Sequence, residues 1–498
     1  MSVSLQGNSH ITPGCAGVAS WQLAYGQRQT CHAEPVDRAD VTLTFAGRRT
    51  QHHLPESFCP QGPVLLVSSS ELSVFGQHGG PLVSLMRIFG KAVKLGILDG
   101  QGPSNPNPYS KLGAEAVDTP AHRSLALEGA KQGIVLLKNE ERTLPMRPAE
   151  VGRLALIGPH ANSSLIFLGG PNYHGDSSLV YEYTPLLRAR AKLPNAEVSY
   201  SQGCSVSGAD KSGFAAAVSA AQAADRVVLF LGSDQTIENE GHDRDTLDLP
   251  GVQRKLALAV AEAASVPVVV VLVNGGTISV RSLKESAKVG AIVEAFLPGQ
   301  YGAEAVISTI LGETSPAGLL PVTVYDSGFV DRRAITNLDL RAAGGVTYRY
   351  FDGVPLWPFG FGLSYTEFTF SGDRAATLTT TVARADSKPL CFDVDVSNAP
   401  AGVASDIVVL GFISSAHADA PRNGKLCDFV RESNVAPGEQ RTVKICATKA
   451  LSLVDDDGNE RVLPGRYTVT VGVAGGVGGT GAGSTVGTVI VTSAVEES

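Results

Sequence analysis

The run Val266-Pro-Val-Val-Val-Val-Leu-Val273 constrains this chain more than any other stretch. A strand with one face in water alternates apolar and polar side chains. A run with no polar position needs apolar cover on both faces. Comparable short runs recur at Ile134–Leu137, Leu154–Ile157, Val227–Leu231, Ala291–Phe296 and Leu319–Val324. Helical stretches separate them, one at Lys211–Ala224 and another after Pro250 reaching Ala264. Buried strands alternating with helices predict an α/β sandwich domain built on a mostly parallel sheet.

The pattern changes near Tyr365. From residue 366 onward the runs Thr377–Val382, Cys391–Val396, Ile407–Ile413, Arg441–Cys446, Tyr467–Val473 and Gly487–Val491 alternate in period two. Turn residues punctuate them at Ala436-Pro437-Gly438, Asp457-Gly458-Asn459 and Pro464-Gly465. Period-two strands with regular turns predict an all-β sandwich, fibronectin type III-like or immunoglobulin-like in size, and no helix longer than two turns beyond residue 370.

The start of the chain is less regular. Residues 1–80 show no persistent period and are left unassigned, as disordered or as non-native coding sequence. His52-His53 read as an exposed loop. Leu82, Leu85, Ile88, Phe89, Val93 and Leu95 then fall at helical spacing, and residues 100–118 form a Pro/Asn/Gly linker. Thr119 reads as an N-cap with Pro120 at the first helical position, opening a helix to Gln132.

Composition narrows the function classes. The 498 residues are 43% hydrophobic, enough for several buried cores, and the net charge is −8. An acidic chain without a Lys/Arg cluster lacks the basic footprint that nucleic acid requires. No 18-residue apolar stretch predicts a membrane span, and the polar segment Met1–Gly14 does not read as a signal peptide. The compartment stays undecided. Seven cysteines without a CxxC pair read as scattered reduced thiols, with a disulfide open among Cys391, Cys427 and Cys446. No metal or organic cofactor is implied.

Chemistry concentrates at Gly232-Ser-Asp-Gln-Thr-Ile-Glu-Asn-Glu-Gly-His-Asp-Arg244, directly after the run Val227–Leu231. Loops at the carboxyl ends of parallel strands are where open α/β sheets present ligand groups. Asp234, Glu238, Glu240, Asp243 and Arg244 crowd this one. Either the loop is a solvated acidic surface, or one carboxyl protonates a leaving-group oxygen as glycoside cleavage requires. Other motifs are weaker. Gly476-Val-Gly-Gly-Thr-Gly481 matches GxGxxG but opens no helix, so it reads as a hairpin loop. Asp455-Asp-Asp-Gly-Asn459 lacks the closing Glu of a calcium loop and reads as a turn. Tyr173 is a packed tyrosine or a sugar-stacking one.

The acidic loop resembles the acid/base loop of family 3 glycoside hydrolases. Asp248-Leu-Pro-Gly-Val-Gln253, Leu125–Asn139, Leu156-Ile-Gly-Pro-His-Ala-Asn162, Val273-Asn-Gly-Gly276, Pro298-Gly-Gln300, Gly318–Tyr325, Thr347–Phe351 and Pro358–Tyr365 resemble that family too, in the family's order. The resemblance runs from about residue 81 to 475 and is closest to the β-xylosidase-like branch. It implies a retaining exo-β-xylosidase or β-glucosidase acting on a β-linked oligosaccharide or glycoside. By match to the Glu-Gly-x-Asp-Arg pattern, the acid/base falls on Glu240, with Glu238 as runner-up. Glu238, Asp243 and Arg244 are expected to line the substrate side. Members of this family begin with a (β/α)8 barrel that carries the aspartate nucleophile and are often secreted or vacuolar. Residues 81–118 resemble only the barrel's last helix and linker, and about 80 residues are too few for a fold of about 250. The chain is therefore expected to hold the α/β domain at 119–365 and the fibronectin-like domain at 366–498, and to be inactive alone. Two rival readings are a non-catalytic sugar- or partner-binding remnant and an incomplete gene model. Asp326 and Asp339 are substitute carboxylates that no motif supports.

Overall fold

A computed structural model describes residues 3–4, 20–21, 42–45, 48–51, 81–95, 112–168, 183–372, 376–382, 389–455, 457–472 and 484–492. The chain divides into two units, residues 1–119 and 120–498. In the first unit, two short antiparallel ribbons pair 3–4 with 20–21 and 42–45 with 48–51, pairings that the sequence reading missed. Helix α1 (Pro81–Lys94) forms where helical spacing placed it, with Ile88, Phe89 and Val93 exposed. The readings of His32, His52, His53, Cys59, Tyr173 and the glycine run at 476–481 lie outside the described residues.

The second unit opens with α2 (Pro120–Gly133), followed by the six strands of one sheet. These are β1 (Val135–Asn139), β2 (Arg153–Ile157), β3 (Glu197–Ser201), β4 (Arg226–Gly232), β5 (Val268–Val273) and β6 (Val289–Glu294). Their order across the sheet is β1-β6-β5-β4-β2-β3, parallel throughout except that β1 runs antiparallel to β6 at the edge. The all-apolar run becomes the centre. Val268, Val270 and Leu272 enter one core and Val269, Val271 and Val273 the other, all fully buried. Helices α4 (Phe214–Ala223), α5 (Gln253–Ala263) and α6 (Arg281–Glu285) cover the first face. The second face is covered by α2, α3 (Pro185–Lys192) and α7 (Gly302–Ile310). The expected α/β domain on a mostly parallel sheet is present, with helices on both faces and one antiparallel edge strand.

One expectation fails. Leu319–Val324 is not a strand of this sheet. Its backbone instead exchanges hydrogen bonds with the 356–361 segment, Leu320 N–H to Phe361 O at 2.9 Å and Val324 N–H to Trp357 O at 2.9 Å. Trp357 is buried beneath it and donates its indole N–H to Leu137 O. Only Leu320, Thr323 and Val324 of the run are buried, while Val322 is exposed, and the partner is a strap crossing the core. Strand β3, part-exposed at the edge with only Val198 buried, was missed for the converse reason: its sequence Glu-Val-Ser-Tyr-Ser carries little apolar signal.

Beyond the strap lies a two-sheet β region. One sheet orders β7 (Phe368–Gly372), β9 (Cys391–Asn398) and β12 (Gln440–Cys446). The other orders β8 (Thr377–Thr381), β14 (Ser484–Thr492), β13 (Gly465–Val471), β10 (Ser405–Ser415) and β11 (Lys425–Val435). Val394, Val396, Val409, Val469 and Val489 fill the space between them. Past residue 370 the described residues hold only the three-residue turn Thr448–Ala450 and a single 3-10 turn residue, Val382, so no helix there exceeds two turns. The reduced-thiol reading is corrected: Cys391 and Cys446, directly opposite on β9 and β12, form a disulfide. Cys204 and Cys427 are free. At Asp455 the calcium outline resolves as a turn, its carboxylate accepting the Asp457 and Asn459 amides and pairing with Arg461.

The two regions of this unit are joined by aromatic packing. Tyr348 and Phe359 stack at 4.5 Å between centroids, and both meet Phe412 of β10 edge-on. The Tyr348 hydroxyl accepts the Leu426 amide, and the Asn423 side chain donates to Phe351 O at 2.8 Å. Residues 358–365 dock onto the α/β layer, Leu363 N–H bonding Leu136 O at 2.8 Å and Tyr365 O–H bonding Thr309 O at 2.8 Å.

Candidate acid loop at the carboxyl edge of the sheet

From β2 the chain runs outward to β3 and then returns across β2 to β4. The carboxyl ends of β2 and β4 therefore flank a topological switch point, the crevice where open α/β sheets hold ligands. The acidic loop leaves the end of β4 there. Gly232 is required at that exit: its φ is +148°, and a Cβ would stand 1.9 Å from Val273 O. Gln253, fully buried at the start of α5, clamps the exit by accepting the Gly232 amide at 2.9 Å and donating to Gly232 O and Val206 O, both at 2.8 Å.

The loop is folded by its own side chains. Asp234 accepts the Thr236 amide at 2.9 Å and the Thr236 hydroxyl at 2.6 Å. Asn239 and His242 exchange two backbone hydrogen bonds of 3.0 Å around Glu240-Gly241. Gly241 takes φ +81°, the left-handed geometry a tight turn needs at its third position. Glu240 thus stands exposed at a turn tip.

Glu238, two residues earlier, has another environment. Its carboxylate accepts the Gly276 amide at 2.8 Å and the Ser233 hydroxyl at 3.3 Å, and pairs with Arg244. Arg244 is 11% exposed and also donates to Thr277 O at 3.0 Å and Thr246 O at 3.5 Å. Glu238 and Arg244 together fasten the loop to the turn after β5. Asp243 is exposed beside them. The substitute carboxylates are engaged elsewhere. Asp326 pairs with Arg281 at 3.0 Å, which holds its pKa below the usual carboxylate range, and Asp339 caps the Arg341 amide.

Three neighbours were not recognised as site residues from sequence. His160, at the end of β2, is 2% exposed, its Nε2 has no hydrogen-bond partner, and burial pulls its pKa down to about 4. Asn274 and Glu294 end β5 and β6 and are both buried. The signal was present in Glu294, the single ionisable residue in the buried strand Val289–Glu294.

Residues 134–365 match the glycosyl hydrolase family 3 C-terminal domain. Over 411 residues the chain is 36% identical to Beta-D-xylosidase 1 of Arabidopsis thaliana, covering 76% of this chain and 52% of that protein. It is 37% identical over 407 residues to the "Probable exo-1,4-beta-xylosidase bxlB" of Aspergillus fumigatus, covering 78% and 51%. Among solved structures it resembles a GH3 exo-beta-xylosidase (XlnD) bound to a xylobiose aziridine probe, with TM-score 0.72, 28% identity and coverage of 82% and 53%. A β-glucosidase from Erythrobacter marinus superposes with TM-score 0.64 at 28% identity, covering 79% and 53%. The chain spans about half the length of these relatives.

Proposed function

This chain belongs to glycosyl hydrolase family 3 by its C-terminal domain, and from that premise we propose that it supplies the general acid/base, Glu240, of a retaining exo-β-xylosidase or β-glucosidase. The supporting observation is the contrast within one loop. Glu238 is consumed by Arg244 and the Gly276 amide, whereas Glu240 stands exposed on a turn at the carboxyl edge of the sheet. An acid must reach the glycosidic oxygen of a bound substrate, and only an exposed carboxyl does so. Retention further needs a nucleophilic carboxylate about 5–5.5 Å from the acid. We assign that group, and most of the sugar pocket, to a barrel of the kind these relatives' longer chains accommodate. On this reading residues 119–365 are the acid-bearing domain, and 366–498 are a fibronectin type III-like support. Asp243 is the exposed loop residue left to meet substrate, and Glu238 with Arg244 act by positioning.

The test uses two proteins. The chain alone should not hydrolyse nitrophenyl β-xylosides or β-glucosides. A chimera in which residues 120–498 replace the corresponding part of Beta-D-xylosidase 1 should. In the chimera, Glu240→Gln should lower kcat on xylobiose by about 10²–10⁴-fold. The loss should be much smaller on a nitrophenyl xyloside, whose leaving group needs little protonation. Equal losses on both substrates, or none on either, would remove Glu240 from the acid role.

A further inference from the structure

We propose that Glu294 is a positioning residue for the acid loop, acting through Asn274 and the Gly275-Gly276 turn on the Glu238–Arg244 clasp. The connections are continuous. Glu294 Oε2 accepts from Asn274 Nδ2 at 3.4 Å, and the same amide donates to Gly276 O at 2.9 Å. Gly276 N–H donates to Glu238, and Glu238 holds Arg244. Arg244 in turn bonds Thr277 O, closing a ring of contacts around the turn. There is no room to bypass this turn, because a Cβ on Gly276 would meet the Arg244 guanidinium at 2.6 Å and Glu238 at 3.0 Å.

Glu294 is set to behave as a neutral group. It is 4% exposed, and its other oxygen accepts the Phe296 amide at 2.9 Å. The strands on either side oppose it with Val135 and Leu272. Among the described residues its polar partners are the Phe296 amide and the Asn274 side chain, and no cation pairs with it. Burial pushes its pKa up to about 8. Asn274, which meets Glu294 through its Nδ2, leaves its own Oδ1 buried with no hydrogen-bond partner. Ionising Glu294 in this dry site is unfavourable, and release of the turn would let water reach it. Loop release and proton loss are therefore linked below the folded-state pKa. Its bearing on catalysis rests on the reading of Glu240 as the acid; the coupling itself does not.

Hydrogen exchange of the 233–246 amides, corrected for intrinsic pH dependence, tests the coupling without reference to activity. For the full chain, the opening equilibrium of this loop should rise with pH by up to about tenfold per unit and level off above about 8. Amides of β4 should stay protected throughout. Glu294→Gln keeps the shape and stays neutral, so its loop should remain closed across the range. A loop insensitive to pH in the wild type, or equally sensitive in Glu294→Gln, would overturn the proposal. Should the variant fail to fold, the wild-type titration decides alone.

Discussion

Glu238 and Glu240 stand two residues apart and meet opposite surroundings. Arg244 is the cause: most of its hydrogen bonds point into the protein, and it leaves Glu238 with one role. Arg244→Ala should leave a part-buried carboxylate uncompensated and cost about 2–3 kcal/mol, a little below the range for fully buried pairs. Urea denaturation measures it, and Arg244→Lys should recover only part, because an ammonium cannot serve three acceptors in one plane. Glu294 gives the protein a pH dependence of definite sign. Its pKa is about 8 when folded against an ordinary 4.5, so the folded state holds the extra proton between those values. Stability falls as pH rises through that window. His160 acts from the other side: burial holds its pKa at about 4 against 6.5, so stability falls as pH drops from 6.5 toward 4. The melting temperature of Glu294→Gln should therefore exceed that of the wild type by a margin that grows with pH up to about 8 and vanishes in acid.

At the scale of elements, burial was easier to read than partnership. The all-apolar, valine-rich run announced a central strand because a short β-branched run without polar positions needs cover on both faces. Leu319–Val324, apolar but for Thr323, became a strap against Trp357, since composition does not report which backbone pairs with a segment. The acid loop was legible as a loop because Gly232 and the strand before it mark the exit. The clasp was not, because Gly276 reaches Glu238, and Thr277 reaches Arg244, only through the fold. The same fold makes Gly232 irreplaceable. Gly232→Ala should cost at least about 3 kcal/mol, from a positive φ and a collision with the Val273 carbonyl, and circular dichroism during thermal unfolding reads the loss.

Across the second unit, the α/β and β regions are coupled through one aromatic cluster and the strap. Leu410 and Phe412 are buried at that junction, with Leu319, Tyr348 and Phe359 packed against them. Calorimetry of the wild type should show the two regions melting together, and Tyr348→Ala should split the transition, the β region separating first or last but no longer in step. The strap has a further consequence. Leu363 pairs with Leu136, so the chain enters and leaves the α/β layer side by side along one edge. A domain whose two ends meet is a cassette. It can be spliced into a host at a single point or circularly permuted through a short linker between those ends, with β6 and β5 lying between that edge and the strand from which the acidic loop leaves.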